Sequence, residues 1–205
     1  MTFLQTGLLT WIDRLWHSIN KVDQDLFLLI NNSCSHPFLD KACLAWRDQL
    51  TWIPLYLFFL IFSIWKLKKK SWVWILLLIA TVAIIDQVSS TFLKNWIGRI
   101  RPCSDPYFSQ YVKLVLSRCP TSGSFTSSHA ANHFGVAIFV ARTFKPFLDK
   151  WRYLFYFWAT VVCFSQVYVG VHYPLDILGG TIVGLSISYF SSSFYLKKIG
   201  YPIIR

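Results

Sequence analysis

In the stretch SQVYVGVHYPLD, residues 165–176, a histidine stands four positions ahead of an aspartate. Positions i and i+4 share one face of a helix, so the spacing predicts that Asp176 reaches the His172 ring. A carboxylate that holds one imidazole N–H fixes the tautomer and leaves the other nitrogen free to attack an electrophile. A buried ion pair closing a helix–helix turn is the alternative that this pair alone leaves open. Pro174 suits the first turn of the helix carrying Asp176.

Two further clusters carry polar chemistry. In KNWIGRIRP, residues 94–102, a helix runs out into a Gly- and Pro-marked loop with Lys94, Arg99 and Arg101 close together. Arginine offers a planar fork for two phosphate oxygens and lysine a compact charge, so the three could cradle an anion. Snorkelling onto lipid headgroups is the competing reading. In GSFTSSHAANHFG, residues 123–135, Ser127 and Ser128 stand where a helix should begin. Serine side chains and free backbone N–H groups converge at such a start and favour a bound anion. His129 projects from the first turn, and His133, one turn later, reads as a packed or solvated histidine. Plain serine capping beside an interfacial histidine would produce the same pattern.

These residues need elements to position them, and the composition points to a membrane bundle. Of 205 residues 55% are hydrophobic, 19% aromatic and only 14% charged, against roughly 25% charged in ordinary globular chains. All nine acids are Asp. Five segments, 50–66, 71–96, 128–144, 152–170 and 175–196, are apolar enough for the bilayer, which takes about 20 residues. The linkers 66–70 and 142–152 carry four basic residues each and the tail three, eleven of the twenty. By the positive-inside rule that side is cytoplasmic. The loop 97–127, the turn 171–174 and the N-terminal 49 residues then face outward, with every polar cluster among them. The net charge of +11 could suggest nucleic acid, but the basic residues flank apolar segments, so no nucleic-acid partner is expected.

The N-terminus has no basic start followed by an unbroken apolar core, which argues against a cleaved signal peptide. Leu8, Leu9, Trp11, Ile12, Leu15, Trp16 and Ile19 recur at helical spacing. They predict an amphipathic helix lying along the interface, with a span through residues 1–30 as the alternative. The expected fold is therefore all-α: a polytopic membrane helix bundle of five to six spanning helices, with an interfacial region over 1–49 and the bundle over 50–196, in a single domain. Five cysteines without a C-x-x-C pair exclude a zinc cluster. Cys103 and Cys119 flank one polar loop and read equally as free thiols or as a disulfide in an oxidising compartment.

Topology brings the three clusters to one membrane face at the ends of neighbouring helices. Two histidines, a carboxylate and several cations around a helix N-terminus suit phosphoryl transfer. One histidine can attack phosphorus and the other protonate the leaving oxygen, while the cations hold the remaining oxygens. No carboxylate cluster offers itself to Mg²⁺, so metal-independent chemistry without a cofactor is expected.

At these residues the sequence resembles the type 2 phosphatidic acid phosphatases, the PAP2 family, whose site recurs in vanadium haloperoxidases. The family pattern is Lys, six residues, Arg-Pro; then Pro-Ser-Gly-His; then Ser-Arg, five residues, His, three residues, Asp. Lys94, Arg101 and Pro102 match the first part. Ser127 and His129 match the second, with Thr126 and Ser128 replacing Pro and Gly. Ser165, His172 and Asp176 match the third, with Gln166 in place of Arg. The resemblance covers about 86 to 180. It implies a phosphohistidine route with His172 as nucleophile, Asp176 as its orienting partner and His129 as general acid. Lys94, Arg101, Ser127 and backbone groups near Ser128 would bind phosphate. It implies an integral cytoplasmic-membrane enzyme whose site faces the periplasm or exterior, acting on a lipid phosphate or a polyprenyl diphosphate among membrane lipids.

Gln166 can donate to a phosphate oxygen but brings no charge, and losing one charge-assisted contact costs on the order of 1.5–3 kcal/mol. Arg99 is the expected replacement, with Arg118 behind it and the Ser128 hydroxyl as an added donor. Gln166 also motivates the alternative of a catalytically silent lipid-phosphate binder or transporter. Asp86, an acid in the second span, needs a partner, and a structural pairing is expected. The N-terminal helix could wall a lateral entrance for lipid.

Overall fold

A computed structural model describes residues 3–201, with side chains described from residue 11 onward. Among the described residues, nine α-helices are joined by short 3₁₀ and π turns, and there is no β-strand. Helix α1 (Phe3–Leu28) runs through a π turn and a short loop to α2 (Pro37–Arg47), and α3 (Ile53–Leu67) follows. Helix α4 (Ser71–Asp86) continues through a π-helical stretch into α5 (Lys94–Ile97). After a long loop come α6 (Ser128–Thr143), the short α7 (Lys145–Leu148), α8 (Tyr153–Tyr168) and α9 (Pro174–Ile199).

The apolar segments read from the sequence coincide with α3, α4–α5, α6, α8 and α9 to within a few residues. Their lengths differ. Stretches within Gln49–Ser104 and at Pro174–Ile199 are long and apolar enough to cross a bilayer. Helices α6 and α8 have 16 residues each, about 24 Å at 1.5 Å per residue, short of the roughly 30 Å hydrocarbon core. The outer surface of α3 and α4 is apolar: Phe58, Ile61, Trp65, Trp72, Leu76 and Ile79 are all more than half exposed. A patch of that extent fits lipid rather than water.

Helix α6 sits at the centre, packed by α9, α8 and α4. Its approach to α9 is set by Gly180 and Gly184, one turn apart. A Cβ at Gly180 would strike the Ser127 carbonyl oxygen, and one at Gly184 the Ala131 carbonyl oxygen. Small residues spaced by four let two backbones touch inside a membrane. The same contact lets the Ser127 N–H donate to the Asp176 carbonyl at 3.0 Å, tying the start of α6 to the start of α9. At the far end Trp74, Phe139, Phe144 and Tyr195 form an aromatic core, where Trp74 Nε1 donates to Thr143 at 2.8 Å.

On α1, Trp11, Ile12, Leu15, Trp16 and Ile19 are exposed rather than packed on protein; Leu8 and Leu9 lie outside the described side chains. The second half of the helix docks. Phe27 is fully buried against Phe108 and Tyr173, and Asn31 donates to the Lys113 and Tyr168 carbonyls while accepting from the Lys113 N–H. Residues 20–47 are therefore a wall of the bundle, more than the interfacial attachment expected of them. Cys103 and Cys119 form a disulfide across the loop.

Candidate active site

The expected histidine–aspartate pair forms, by a different geometry. His172 precedes Pro174, the first residue of α9, so the two residues do not share a helix face. Asp176 is the third residue of α9 and caps it: Oδ2 accepts the Tyr173 N–H at 2.8 Å and the Ser124 hydroxyl. Capping satisfies an otherwise orphaned donor at the helix start. It also fixes the carboxylate with Oδ2 at 3.6 Å from His172 Nδ1. On the other side of the ring, Nε2 lies 3.2 Å from an Arg101 amino group. A guanidinium only donates, so Nε2 is the acceptor and the ring proton belongs on Nδ1, beside the carboxylate.

His172 is 2% exposed. Burial pushes its pKa down to about 4; Asp176 pulls it upward, and Arg101 and Lys94 push it further down. The ring is thus neutral in the folded protein, while the unfolded histidine titrates near 6.5. The folded state then binds fewer protons between pH 6.5 and 4, so stability is complete above that window and lost as pH falls through it. Thermal midpoints of wild type and His172→Gln should therefore converge as pH falls from 6.5 to 4. A difference that stayed constant across the window would contradict a buried neutral His172.

Arg101 is held by its surroundings. Nε donates to the Ser122 carbonyl at 2.7 Å, one amino group to the Val171 carbonyl and His172, and the other to the Ser122 hydroxyl. Four of five N–H donors are used, which leaves one for a ligand. Burial lowers its pKa to about 10, so it stays charged at neutral pH. Helix α5 ends at Gly98, whose φ of +61° is the left-handed conformation suited to glycine. That turn directs the chain through Arg99 back over the helix ends. Lys94 is buried and donates to the Ser128 hydroxyl at 3.2 Å. Among the described residues neither Lys94 nor Arg101 has a carboxylate within ion-pair distance. A cleft of about 340 Å³ opens between them, lined by Lys94, Arg99, Arg101, Ser122 and Gly123.

Arg99 does not stand free as a replacement for the missing cation. One amino group donates to Asp176 Oδ1 at 2.8 Å and the other to Asp23 at 2.6 Å and Asn20 at 3.1 Å. The guanidinium stacks 4.2 Å over the Tyr173 ring. Burial alone would push its pKa down, but the two carboxylates raise it above the ordinary arginine value. Arg99 therefore clamps the back of Asp176. Arg118 is exposed in the loop closed by the disulfide, next to Cys119. Gln166 is fully buried on α8, and neither amide atom finds a partner.

Ser127 caps α6, its hydroxyl accepting the Ala130 N–H. His129 rests parallel to His133 at 6.1 Å between ring centroids and lies within electrostatic reach of His172 and Lys94. His133 is buried against Trp158, its Nδ1 on the His129 carbonyl. Asp86 makes no ion pair with Lys94. It accepts from Ser90 and Asn132, and the Ser90 hydroxyl is also hydrogen-bonded to that of Ser128, so the acid is linked to Lys94 through two serines.

Sequence reasoning missed Ser124, Asp23 and Asn20. Ser124 lay within the quoted serine-rich stretch, so the signal was present. Asp23 and Asn20 lie in α1, far from the motifs along the chain, and nothing local marks them.

A family model described as the PAP2 superfamily matches residues 71–199. The chain is 34% identical over 181 residues to the lipid A 4'-phosphatase of Porphyromonas gingivalis, covering 87% of this chain and 75% of that one. It is 30% identical over 158 residues to the undecaprenyl-diphosphatase of Sulfolobus acidocaldarius, covering 74% and 68%. Among solved structures, a transmembrane PAP2 type phosphatidylglycerolphosphate phosphatase from Bacillus subtilis superimposes with a TM-score of 0.61 at 23% identity, over 88% of each chain. That likeness establishes a shared fold.

Proposed function

The chain belongs to the PAP2 superfamily and is a membrane lipid phosphatase; we propose that it cleaves phosphate from a lipid phosphate or lipid diphosphate through a phosphohistidine at His172. The observation that carries this reading is the buried His172 ring, with Asp176 at Nδ1 and Nε2 toward Arg101. Phosphate entering between Lys94 and Arg101 takes over the Arg101 amino proton and releases Nε2. That nitrogen attacks phosphorus, the bond to the lipid oxygen (or the leaving phosphate oxygen of a diphosphate) breaks, and His129 gives that oxygen its proton. Water then attacks the phosphohistidine with His129 as base, the P–N bond breaks, and inorganic phosphate leaves. Asp176 steadies the positive charge that develops on the His172 ring. Preorganised cations are worth most where charge develops away from water, and here they supply what a metal would otherwise provide.

Two features support a site on the outer face of the cytoplasmic membrane. Basic residues concentrate on the opposite side, and the disulfide adjoins the site loop, which suits an oxidising compartment. An apolar groove of about 460 Å³ between α1 and α9, lined by Ile19, Val22, Leu26, Leu175 and Leu178, can take a lipid chain. Asp23 also lines it, which supports reading the N-terminal region and the bundle as one domain. The curated relatives support a phosphorylated glycolipid or a polyprenyl diphosphate as substrate.

Purified protein should release inorganic phosphate from such lipids in excess EDTA at a rate equal to that with added Mg²⁺. Loss of turnover in EDTA would contradict the metal-free route. The unpartnered Gln166 favours one other reading, a silent lipid-phosphate binder; tight binding of these lipids with no phosphate released would establish it.

A further inference from the structure

Gln166 leaves the site one cation short of the family pattern, and Arg99 is committed to Asp176 and Asp23. A third arginine, Arg47, lies within electrostatic reach of Arg101 and His129. Arg47 is the last residue of α2, and α2 packs along α8, the helix that carries Gln166. One turn earlier, Cys43 is buried against Tyr168, Val169 and Val171, just before His172. The Arg47 side chain points inward, and its Nε is buried without any hydrogen-bond partner. It lines a cleft of about 520 Å³ with Arg118, Thr121 and Ser122. Ser122 also holds Arg101 through two hydrogen bonds. Thr121 and Ser122 border the Lys94–Arg101 cleft as well.

We propose that Arg47 is the guanidinium that grips the substrate phosphate in place of the arginine absent at position 166. This assignment rests on the phosphatase reading above. Arg47 is an electrostatic neighbour of both Arg101 and His129. Its own opposite charge is Asp48, an exposed residue whose carboxylate accepts the Leu50 N–H. Burial pushes the Arg47 pKa down, as expected of a cation held out of water without an adequate counter-ion. An arriving phosphate would supply both the charge and the missing acceptor, and a planar fork suits two of its oxygens. The cation is thus delivered from the N-terminal wall rather than from the helix bearing the family motif.

The test uses the full chain in detergent, with kcat/KM on the best lipid substrate, Ki for inorganic phosphate, and thermal midpoint. Arg47→Ala should lower kcat/KM and raise Ki by about 10- to 100-fold each, the range of a lost charged contact, with the midpoint unchanged. Adding Gln166→Arg to that variant should recover at least about tenfold of the loss. Arg47→Met, which keeps the apolar stem, replaces the alanine variant if the latter unfolds. Unchanged kcat/KM and Ki in a folded Arg47 variant would overturn the proposal, as would a loss that Gln166→Arg leaves untouched. Absence of turnover in wild type would sink the phosphatase reading instead. Arg47 would then be judged by calorimetric binding of inorganic phosphate alone, with equal affinity in wild type and Arg47→Ala counting against it.

Discussion

His172→Ala releases phosphate from lipid at least about 1,000-fold more slowly than wild type, with kcat and kcat/KM falling together. Removing the ring removes the atom that bonds to phosphorus, an interaction made only as the reaction proceeds. Ground-state binding of phosphate should change little, because Lys94 and Arg101 line the cleft themselves. The fold should hold, since the loop is anchored by Val171 on Arg101 and by Tyr173 on Asp176. Steady-state kinetics with an inorganic-phosphate Ki on the same preparation checks both halves. A variant with a tenth of wild-type turnover would place the nucleophile elsewhere.

Asp176→Asn has the second-largest expected effect, and it should act on rate and stability together. The carboxylate has no solvent exposure and receives donors from Arg99, Ser124 and Tyr173. An asparagine that still accepts the Tyr173 N–H keeps its oxygen beside His172 and turns its amide donor toward Arg99. Breaking a buried ion pair from one side costs about 3–5 kcal/mol, because the remaining charge stays buried and less compensated. Here Asp23 still holds Arg99, so the lower part of that range applies. The negative charge that steadies the developing positive His172 ring is lost, and kcat should fall about 100- to 1,000-fold. Asp23→Asn provides the contrast: it keeps an acceptor for the Leu175 N–H and leaves Asp176 in place, so its cost in kcat should stay near tenfold. Equal losses in the two variants would mean that the Arg99 clamp, rather than contact with His172, governs the rate.

The helices were legible because apolar length and turn chemistry are local. Ser127 marks the start of α6, Pro174 that of α9, and Gly98 the end of α5. The histidine–aspartate pairing was legible as a pair, but its geometry was not. The four-residue spacing suggested a shared helix face, whereas the capping role of Asp176 places His172 outside the helix. The cation question was unreadable from sequence for a different reason. Arg99 and Arg101 look equivalent in GRIRP, yet one faces two carboxylates and the other none. Only the docking of α1, which brings Asp23 to Arg99 across 76 positions, separates them. Arg47 was hidden in the same way, since packing of α2 on α8 brings it to a site read from residues 94–176. The cysteine pair stayed undecided because spacing alone fits both states, and the loop closes it as a disulfide.

The central claim is that phosphate passes through a covalent bond to His172. The direct measurement is mass spectrometry of protein quenched in alkali within the first turnover, where phosphohistidine survives. The account predicts one added phosphoryl group on the peptide containing His172, absent from His172→Ala and more abundant in His129→Ala when the leaving group is a good one. Normal turnover with no phosphorylated protein at any quench time, or with the phosphoryl group on another residue, would contradict it.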